Sequence, residues 1–160
     1  MKTLTFLATI GVLAAGPAFA QAMTPGEYVM TAGASDLYET QSSQIVLETT
    51  ADPKIKAFAQ MMVRDHGKST AQVKAAAARS KVTVAPPMLM PLQAELIAEL
   101  RAESGPARDG TYVAQQKAAH NQALAVQKAY AMGGTAPALK SAAAGIVPVV
   151  QHHIGMLKAM

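Results

Sequence analysis

The stretch IKAFAQMMVRDH at residues 55–66, continued as far as Val73, decides the fold of this chain. Its apolar and small side chains recur at steps of three and four residues, which is the spacing of one face of an α-helix. These positions are Ile55, Phe58, Ala59, Met62, Ser69 and Val73. His66 falls on the same face, so the pattern predicts an imidazole that points into an apolar interior. Such a group needs a hydrogen-bond partner, a carboxylate that shares its proton, or a metal ion.

The composition of the 160 residues favours close-packed helices. Hydrophobic residues make up 51% and aromatic residues only 4%, with ten Met and no Trp, so the core must be built from aliphatic side chains and methionine. Alternating β-branched runs are scarce, and alanine, which is abundant, is the best helix former. The net charge of +4 is spread along the chain without a basic stripe, and we therefore expect no nucleic-acid partner.

The first twenty residues have the form of a signal peptide. Lys2 precedes an apolar run over residues 4–15, and Ala18-Phe19-Ala20 matches the small-x-small site of signal peptidase. We expect cleavage after Ala20, which leaves residues 21–160 as a single helical domain in the periplasm. No later segment is long and apolar enough to span a membrane. The chain has no cysteine, so no disulfide is expected.

Helix breakers divide the mature chain into five predicted helices. Thr24-Pro25 and Asp52-Pro53 are caps followed by first-turn prolines, and Gly133-Gly134 marks a helix end. The predicted helices cover residues 25–50, 53–80, 88–103, 108–132 and 137–160. Four long helices and one short one predict an all-α, ferritin-like four-helix bundle with the short helix in the crossover between helices two and four. A five-helix array without the crossover is the alternative.

Each long helix carries one ionisable residue on its predicted inner face. These residues are Glu39, His66, His120 and His153. On the fifth helix the predicted inner seam consists of Leu139, Ala142, Ile146, Val149, His153, Met156 and Met160. His152 lies about 100° round the helix from His153 and is expected to face solvent.

Counting along the helices predicts which of these residues meet. Glu39 lies thirteen positions before Asp52 and His66 fourteen after it, so both are about 20 Å from one end of an antiparallel hairpin. His120 comes within about 3 Å of that level. His153 overshoots His120 by about 6 Å, unless Pro148 bends the fifth helix.

The same residues carry a resemblance to a known family. They are Glu39, the run KAFAQMMVRDH at 56–66, Asp109, Tyr112-Val113 ahead of His120, and Pro148 followed by His153-Ile154. The chain resembles an exported, ferritin-like bacterial family of unknown function, whose members are often labelled outer membrane proteins. The resemblance implies a helical bundle and directs attention to Glu39, Asp65, His66, Tyr112, His120 and His153. It implies no reaction, because the family has no agreed activity.

The first functional hypothesis is one transition-metal ion inside the bundle. Its predicted ligands are Glu39, His66, His120 and His153, with Asp65 and Tyr112 behind them as groups that orient an imidazole. Zinc, copper, iron and manganese all suit this set. A di-iron centre is disfavoured, because the residues three before the histidines are Val63, Lys117 and Val150 rather than glutamates.

The second hypothesis is a non-catalytic bundle that acts in the envelope or in stress by binding an unknown protein partner. In it the Glu/His cluster is a structural hydrogen-bond network that fixes the register of the helices. The chain carries no nucleophile constellation and no phosphate-binding loop, so an enzymatic activity is not expected.

Overall fold

The computed structural model of the chain describes residues 23–83 and 85–160, and the predicted signal peptide lies outside this part. The described residues form five α-helices and no strand, which confirms the all-α prediction. The helices are α1 (Pro25–Leu47), α2 (Pro53–Arg79), α3 (Pro91–Ala102), α4 (Gly105–Gly133) and α5 (Pro137–Leu157).

Each helix starts with a proline in its first turn, where the missing N–H has no intrahelical partner to lose. At the start of α1, Thr24 Oγ1 accepts a bond from the Glu27 N–H at 3.2 Å, and Glu27 Oε2 accepts one from the Thr24 N–H at 2.8 Å. This reciprocal pair satisfies two N–H groups that the helix itself leaves open. At the start of α2, Asp52 accepts bonds from the N–H groups of Lys54 and Ile55.

Two predicted helix starts are wrong, both next to prolines. In addition, α1 ends at Leu47 and α5 at Leu157, about three residues before the predicted ends at 50 and 160. The third helix begins at Pro91 rather than residue 88. A residue before proline is pushed out of the helical conformation, and Met90 is accordingly extended, with φ −68° and ψ 155°. The fourth helix begins at Gly105 rather than near residue 108. The Ser104-Gly105-Pro106 sequence that ends α3 is also a good helix start, with Pro106 in the first turn.

Two antiparallel hairpins, α1–α2 and α4–α5, pack side by side to form the bundle. At one end of α1 the rings of Tyr28 and Tyr130 stack with centroids 3.9 Å apart. Towards the other end of α1 the hydroxyls of Ser43 and Tyr112 are 2.8 Å apart. These contacts make α1 antiparallel to α4, so α4 runs parallel to α2. The chain between α2 and α4 must therefore travel the length of the bundle.

This connection is the predicted ferritin-like crossover, and the five-helix alternative is wrong. Pro87 passes close over α1 at Gly33, where an added Cβ would lie 3.1 Å from the Pro87 Cβ. α3 then packs across α1 and α4 through Ile97 and Leu100, which are both buried. The 12 residues of α3 cover about 18 Å, and the extended residues before it supply the remaining length.

A polar layer divides the apolar core into two clusters. One cluster includes Tyr28, Val73 and Leu139, and the other includes Phe58 and Tyr112. Along α2, α4 and α5 the buried histidines fall between the members of the two clusters. On α1 Asp36 does so, and the buried Glu39 lies one turn further along. The bundle therefore holds its ionisable side chains in one layer with apolar packing on both sides.

The inner face of α5 differs from the predicted seam at every second position. Its buried residues are Leu139, Ala143, Ile146, Val150, His153 and Leu157. The predicted Val149 is 39% exposed, whereas Val150 is buried. Apolar residues occur as neighbours at 142–143, 149–150 and 156–157, so the apolar spacing alone could not choose between the two faces.

Within residues 23–83 and 85–160, every helix is too short or too polar to cross a lipid bilayer.

Candidate metal centre

Three histidine side chains meet in the polar layer. The ring centroid of His66 lies 5.6 Å from the centroids of both His120 and His153. The centroids of His120 and His153 are 5.3 Å apart. Among the described residues, these three form the group whose donor atoms, one nitrogen from each ring, all lie within 4.8 Å of one another. All three rings are buried, so the bundle brings together imidazoles from α2, α4 and α5.

One nitrogen of His66 is held by a carboxylate on α1. His66 Nδ1 lies 2.8 Å from Asp36 Oδ1, and the other oxygen of Asp36 accepts a bond from Thr70 Oγ1 at 3.1 Å. A carboxylate accepts hydrogen bonds, so His66 carries its proton on Nδ1. His66 Nε2 is buried and makes no hydrogen bond within the described part of the chain.

The other two histidines are oriented in the same manner. His120 Nδ1 donates to the Gln116 carbonyl oxygen at 3.0 Å, and His153 Nε2 donates to Asp65 Oδ2 at 3.3 Å. In a neutral imidazole only one nitrogen carries a proton, so His120 Nε2 and His153 Nδ1 are both lone-pair acceptors. These two nitrogens face each other at 3.3 Å. Two neutral acceptors cannot bond to each other, and only a proton or another cation between them makes the approach favourable.

Burial keeps two of the rings neutral at physiological pH. Burial, with the nearby positive charge of His66 adding to it, lowers the pKa of His120 to about 3 and that of His153 to about 4. At His66 burial acts in the same direction, but the bond to Asp36 and the negative charges of Glu39, Asp36 and Asp65 outweigh it and raise the pKa. A neutral imidazole is the form that binds metal ions.

Glu39 is fully buried beside the histidines but is not a member of the three-nitrogen group. Its Oε1 lies 3.5 Å from His120 Nδ1, the nitrogen that also bonds to Gln116. In the part of the chain that the structure describes, neither Glu39 oxygen has a hydrogen-bond partner, and burial raises the pKa of this carboxyl to about 7. Glu39 therefore contacts the outer nitrogen of His120 rather than the space between the three rings.

The predicted orienting residues have different positions. Asp65 holds His153 and also lies 3.4 Å from Lys68 Nζ at the bundle surface. Burial tends to raise the pKa of Asp65, but the bonds to His153 and Lys68 outweigh it and lower the pKa. The Tyr112 hydroxyl pairs with Ser43 rather than with a histidine.

An aromatic ring covers one side of the cluster. The Phe58 ring centroid lies 6.3 Å from those of both His120 and His153. Met62, which would favour copper as a ligand, is buried in the same apolar cluster as Phe58. The histidines are therefore bounded by apolar side chains on this side, which strengthens electrostatic interactions inside the layer.

Comparisons with known proteins agree with the fold. The family model for a domain of unknown function (DUF4142) matches residues 12–160. The chain belongs to the DUF4142 family. The bundle is similar to a crystal structure of a DUF305 fragment from Deinococcus radiodurans, with a TM-score of 0.73 and 14% identity over 84% of this chain and 93% of that chain. It is also similar to a DUF305 protein from Streptomyces coelicolor, described as a candidate secreted protein, with a TM-score of 0.69 and 14% identity over 84% of this chain and 88% of that one.

At this identity the likeness to the DUF305 structures concerns the helical-bundle fold alone. No curated protein matches the DUF4142 chain.

Sequence reasoning on this DUF4142 chain misjudged the height of His153. The predicted offset of about 6 Å does not separate the two side chains, since His153 Nδ1 lies 3.3 Å from His120 Nε2. Side chains on a helix tilt towards its N-terminus, so in the antiparallel α4–α5 hairpin the two imidazoles lean towards each other along the axis. His152 is exposed, as predicted.

Asp36 is the site residue that sequence reasoning missed. It is buried and makes the shortest contact to a histidine in the layer. The sequence did indicate its position, because Asp36 lies three residues before Glu39 and hence on the same side of α1. Its neighbour Ser35, by contrast, is only half-buried.

Proposed function

We propose that this DUF4142 protein binds one transition-metal ion between His66 Nε2, His120 Nε2 and His153 Nδ1. The observation that carries the proposal is that one nitrogen from each of three buried imidazoles lies within 4.8 Å of the others, while His66 Nδ1, His120 Nδ1 and His153 Nε2 are hydrogen-bonded. Histidines that bind metals have this arrangement, with the second nitrogen held by a carboxylate or a backbone carbonyl.

The spacing of the nitrogens suits a metal ion. Zinc lies about 2.0–2.1 Å from imidazole nitrogen, so two ligands of a tetrahedral ion are about 3.3 Å apart. This is the observed separation of His120 Nε2 and His153 Nδ1. The His66 nitrogen lies within 4.8 Å of the others and needs to move inward by no more than about 1.5 Å.

The donors favour zinc or copper over manganese. Imidazole suits zinc, copper, iron and nickel, whereas manganese prefers oxygen ligands. Glu39 was predicted as a fourth ligand, but we assign it a different role, as a carboxylate beside His120 and outside the three-nitrogen group. With Asp36 and Asp65 it would offset the charge of a divalent ion held by neutral imidazoles.

We further propose that binding takes place in the periplasm, after removal of a signal peptide at residues 1–20. The proposal rests on the apolar run and the Ala18-Phe19-Ala20 site. The DUF305 structure from Streptomyces coelicolor, described as a candidate secreted protein, is consistent with it.

Zinc titration of metal-free protein, followed by equilibrium dialysis and thermal unfolding, tests the proposal. A ligand that binds only the folded state must raise Tm with its concentration. We expect one zinc per chain in the parent, and the loss of both stoichiometric binding and the Tm increase in His120→Phe and His153→Phe. Phenylalanine fills a similar volume. His153→Phe is the cleaner variant, because it leaves the fully buried Glu39 in contact with His120, whereas His120→Phe removes that contact. His152→Phe makes the same change at an exposed position and should bind zinc like the parent.

A hydrogen-bond network is the second candidate, favoured by the bonds from His66 to Asp36 and from His153 to Asp65. It leaves His66 Nε2 and both Glu39 oxygens buried without a bond in the described residues, each at a cost of about 1–3 kcal/mol. If the parent binds no zinc and its Tm does not respond, while His153→Phe lowers Tm, the network is supported and the metal site is rejected.

A further inference from the structure

A cavity of about 550 Å³ lies on the outer side of the bundle, between α1, α3 and α4. It exists because α3 packs closely only along its second half. Ile97 and Leu100 are buried in the core, whereas Met90 and Leu92 at the start of α3 are exposed although they line the cavity. The volume is in the range of pockets that hold small organic molecules, about 300–1,000 Å³.

The wall of the cavity is mostly apolar. α4 contributes a row of small side chains, including Ala114, Ala118 and Ala119, and α3 contributes Leu96 opposite to them. The three histidines of the candidate metal centre are not among the lining residues that the structure describes. An exposed apolar surface of this kind beside a cavity indicates a binding site rather than ordinary solvent-facing surface.

One charge is held at the cavity. Among its described lining residues, Glu99 is the one Asp, Glu, Lys or Arg. Gln115 Nε2 donates to Glu99 Oε2 at 2.8 Å, and Tyr38 in turn donates from its hydroxyl to Gln115 Oε1 at 2.9 Å. Tyr38 and Gln115 are buried, so this chain of bonds orients the carboxylate from the core outward. Glu99 itself is exposed, so a ligand can reach its carboxylate from solvent.

We propose that this cavity binds an amphipathic organic cation, with its apolar chain along the alanines of α4 and its amine or quaternary ammonium group at Glu99. The apolar wall favours an apolar hydrocarbon chain in the ligand. The one negative charge at the cavity, in a protein of net charge +4, favours a positively charged head group. The site is separate from the metal centre, because none of the three histidines is among its described lining residues.

Calorimetric titration with three ten-carbon probes, decylammonium, decanol and decanoate, separates binding of the apolar chain from recognition of the positive charge. All three have the same chain and are used below their micelle-forming concentrations. We expect decylammonium to bind about tenfold more tightly than decanoate, with decanol in between, because a partly exposed ion pair adds a modest preference. Equal binding of the three probes, or no binding of decylammonium, would overturn the proposal.

Variants locate the site. Ala118→Leu fills the cavity with a good helix former at an exposed position and should weaken decylammonium binding at least about tenfold. Ala144→Leu makes the same change on an exposed part of α5 away from the cavity and should leave binding unchanged. Glu99→Gln should keep decanol binding and remove the preference for the ammonium probe.

Unchanged binding in Ala118→Leu would mean that the probe binds elsewhere, and an unchanged preference in Glu99→Gln would mean that the carboxylate does not recognise it. Either result overturns the assignment. Circular dichroism and Tm of each variant, compared with the parent, verify that the bundle is intact.

Discussion

At the scale of single residues, the outer partners of the three histidines determine the chemistry of the site. Asp36, the Gln116 carbonyl and Asp65 each hold a proton on one nitrogen of a histidine. In the neutral rings the other nitrogen is a lone pair, and at His66 a metal ion displaces the second proton. Of these contacts, the one from His66 to Asp36 is the shortest, at 2.8 Å, and is fully inside the bundle. The metal affinity should therefore depend on residues that do not touch the metal.

Asp36→Asn is predicted to weaken zinc binding by about 10–100-fold, because losing the charged partner of a ligating histidine reduces its basicity and its fixed orientation. Competition titration with a zinc chelator measures the change. Asp52→Asn is the control, since asparagine caps a helix as well as aspartate does and α2 should keep its start. An unchanged zinc affinity in Asp36→Asn would contradict this role for Asp36.

Glu39→Gln is predicted to stabilise the metal-free protein at pH 8, by on the order of 1–3 kcal/mol. Burial raises the pKa of Glu39 to about 7 from an ordinary 4.5, so ionisation of this group opposes folding as the pH rises through that window. The gain should disappear towards pH 5, where the folded parent already holds the proton. Chemical denaturation at both pH values measures it, with exposed Glu95→Gln as the control. A loss of stability that does not change with pH would contradict the prediction.

At the scale of helices, the sequence identified all five segments because caps, prolines and glycines mark their ends. It also placed Glu39, His66 and His120 in one layer, since their heights follow from counting residues between turns. It could not choose the inner face of α5, where apolar residues stand next to each other at 149–150 and 156–157. Asp36 and the position of His153 depended on side-chain direction, which apolar spacing does not report.

The α4–α5 turn provides a test at this scale. Gly134 lies against Tyr130, and an added Cβ would come within 2.6 Å of the Tyr130 carbonyl oxygen and of its ring, which is stacked on Tyr28. Gly134→Ala is therefore predicted to destabilise the protein by about 1–3 kcal/mol. Gly145→Ala, inside α5 with open space around it, should stabilise it by about 0.5–1 kcal/mol. Urea denaturation measures both, and equal effects would contradict the proposed close packing at the turn.

At the scale of the whole molecule, a polar layer between two apolar clusters makes the stability of the metal-free bundle depend on pH. His120 and His153 have a folded-state pKa of about 3 and about 4, against an ordinary 6.5. The unfolded chain therefore binds about one proton more than the folded chain at these two groups at pH 6.5, and about two more near pH 5.5. The raised pKa of Glu39 opposes this with one proton in the folded state. Stability should thus rise with pH in this window.

A net difference of one proton corresponds to a slope of at most about 1.4 kcal/mol per pH unit, reduced by solvent screening near the partly exposed Asp65. In the double variant His120→Phe/His153→Phe the contributions of Glu39 and His66 remain. Both have a raised pKa, so the folded state binds more protons than the unfolded state and the slope should change sign. Unfolding free energies at pH 4.5, 5.5 and 6.5 measure both slopes. Equal slopes in the parent and the double variant would show that the two histidines are not held neutral.

The most direct test of the metal site is anomalous diffraction from crystals grown with one equivalent of zinc. The account predicts one strong peak inside the bundle, about 2.0–2.1 Å from each of His66 Nε2, His120 Nε2 and His153 Nδ1. A peak at His152 or at the surface beside Asp65, with the three inner nitrogens free of zinc, would contradict it.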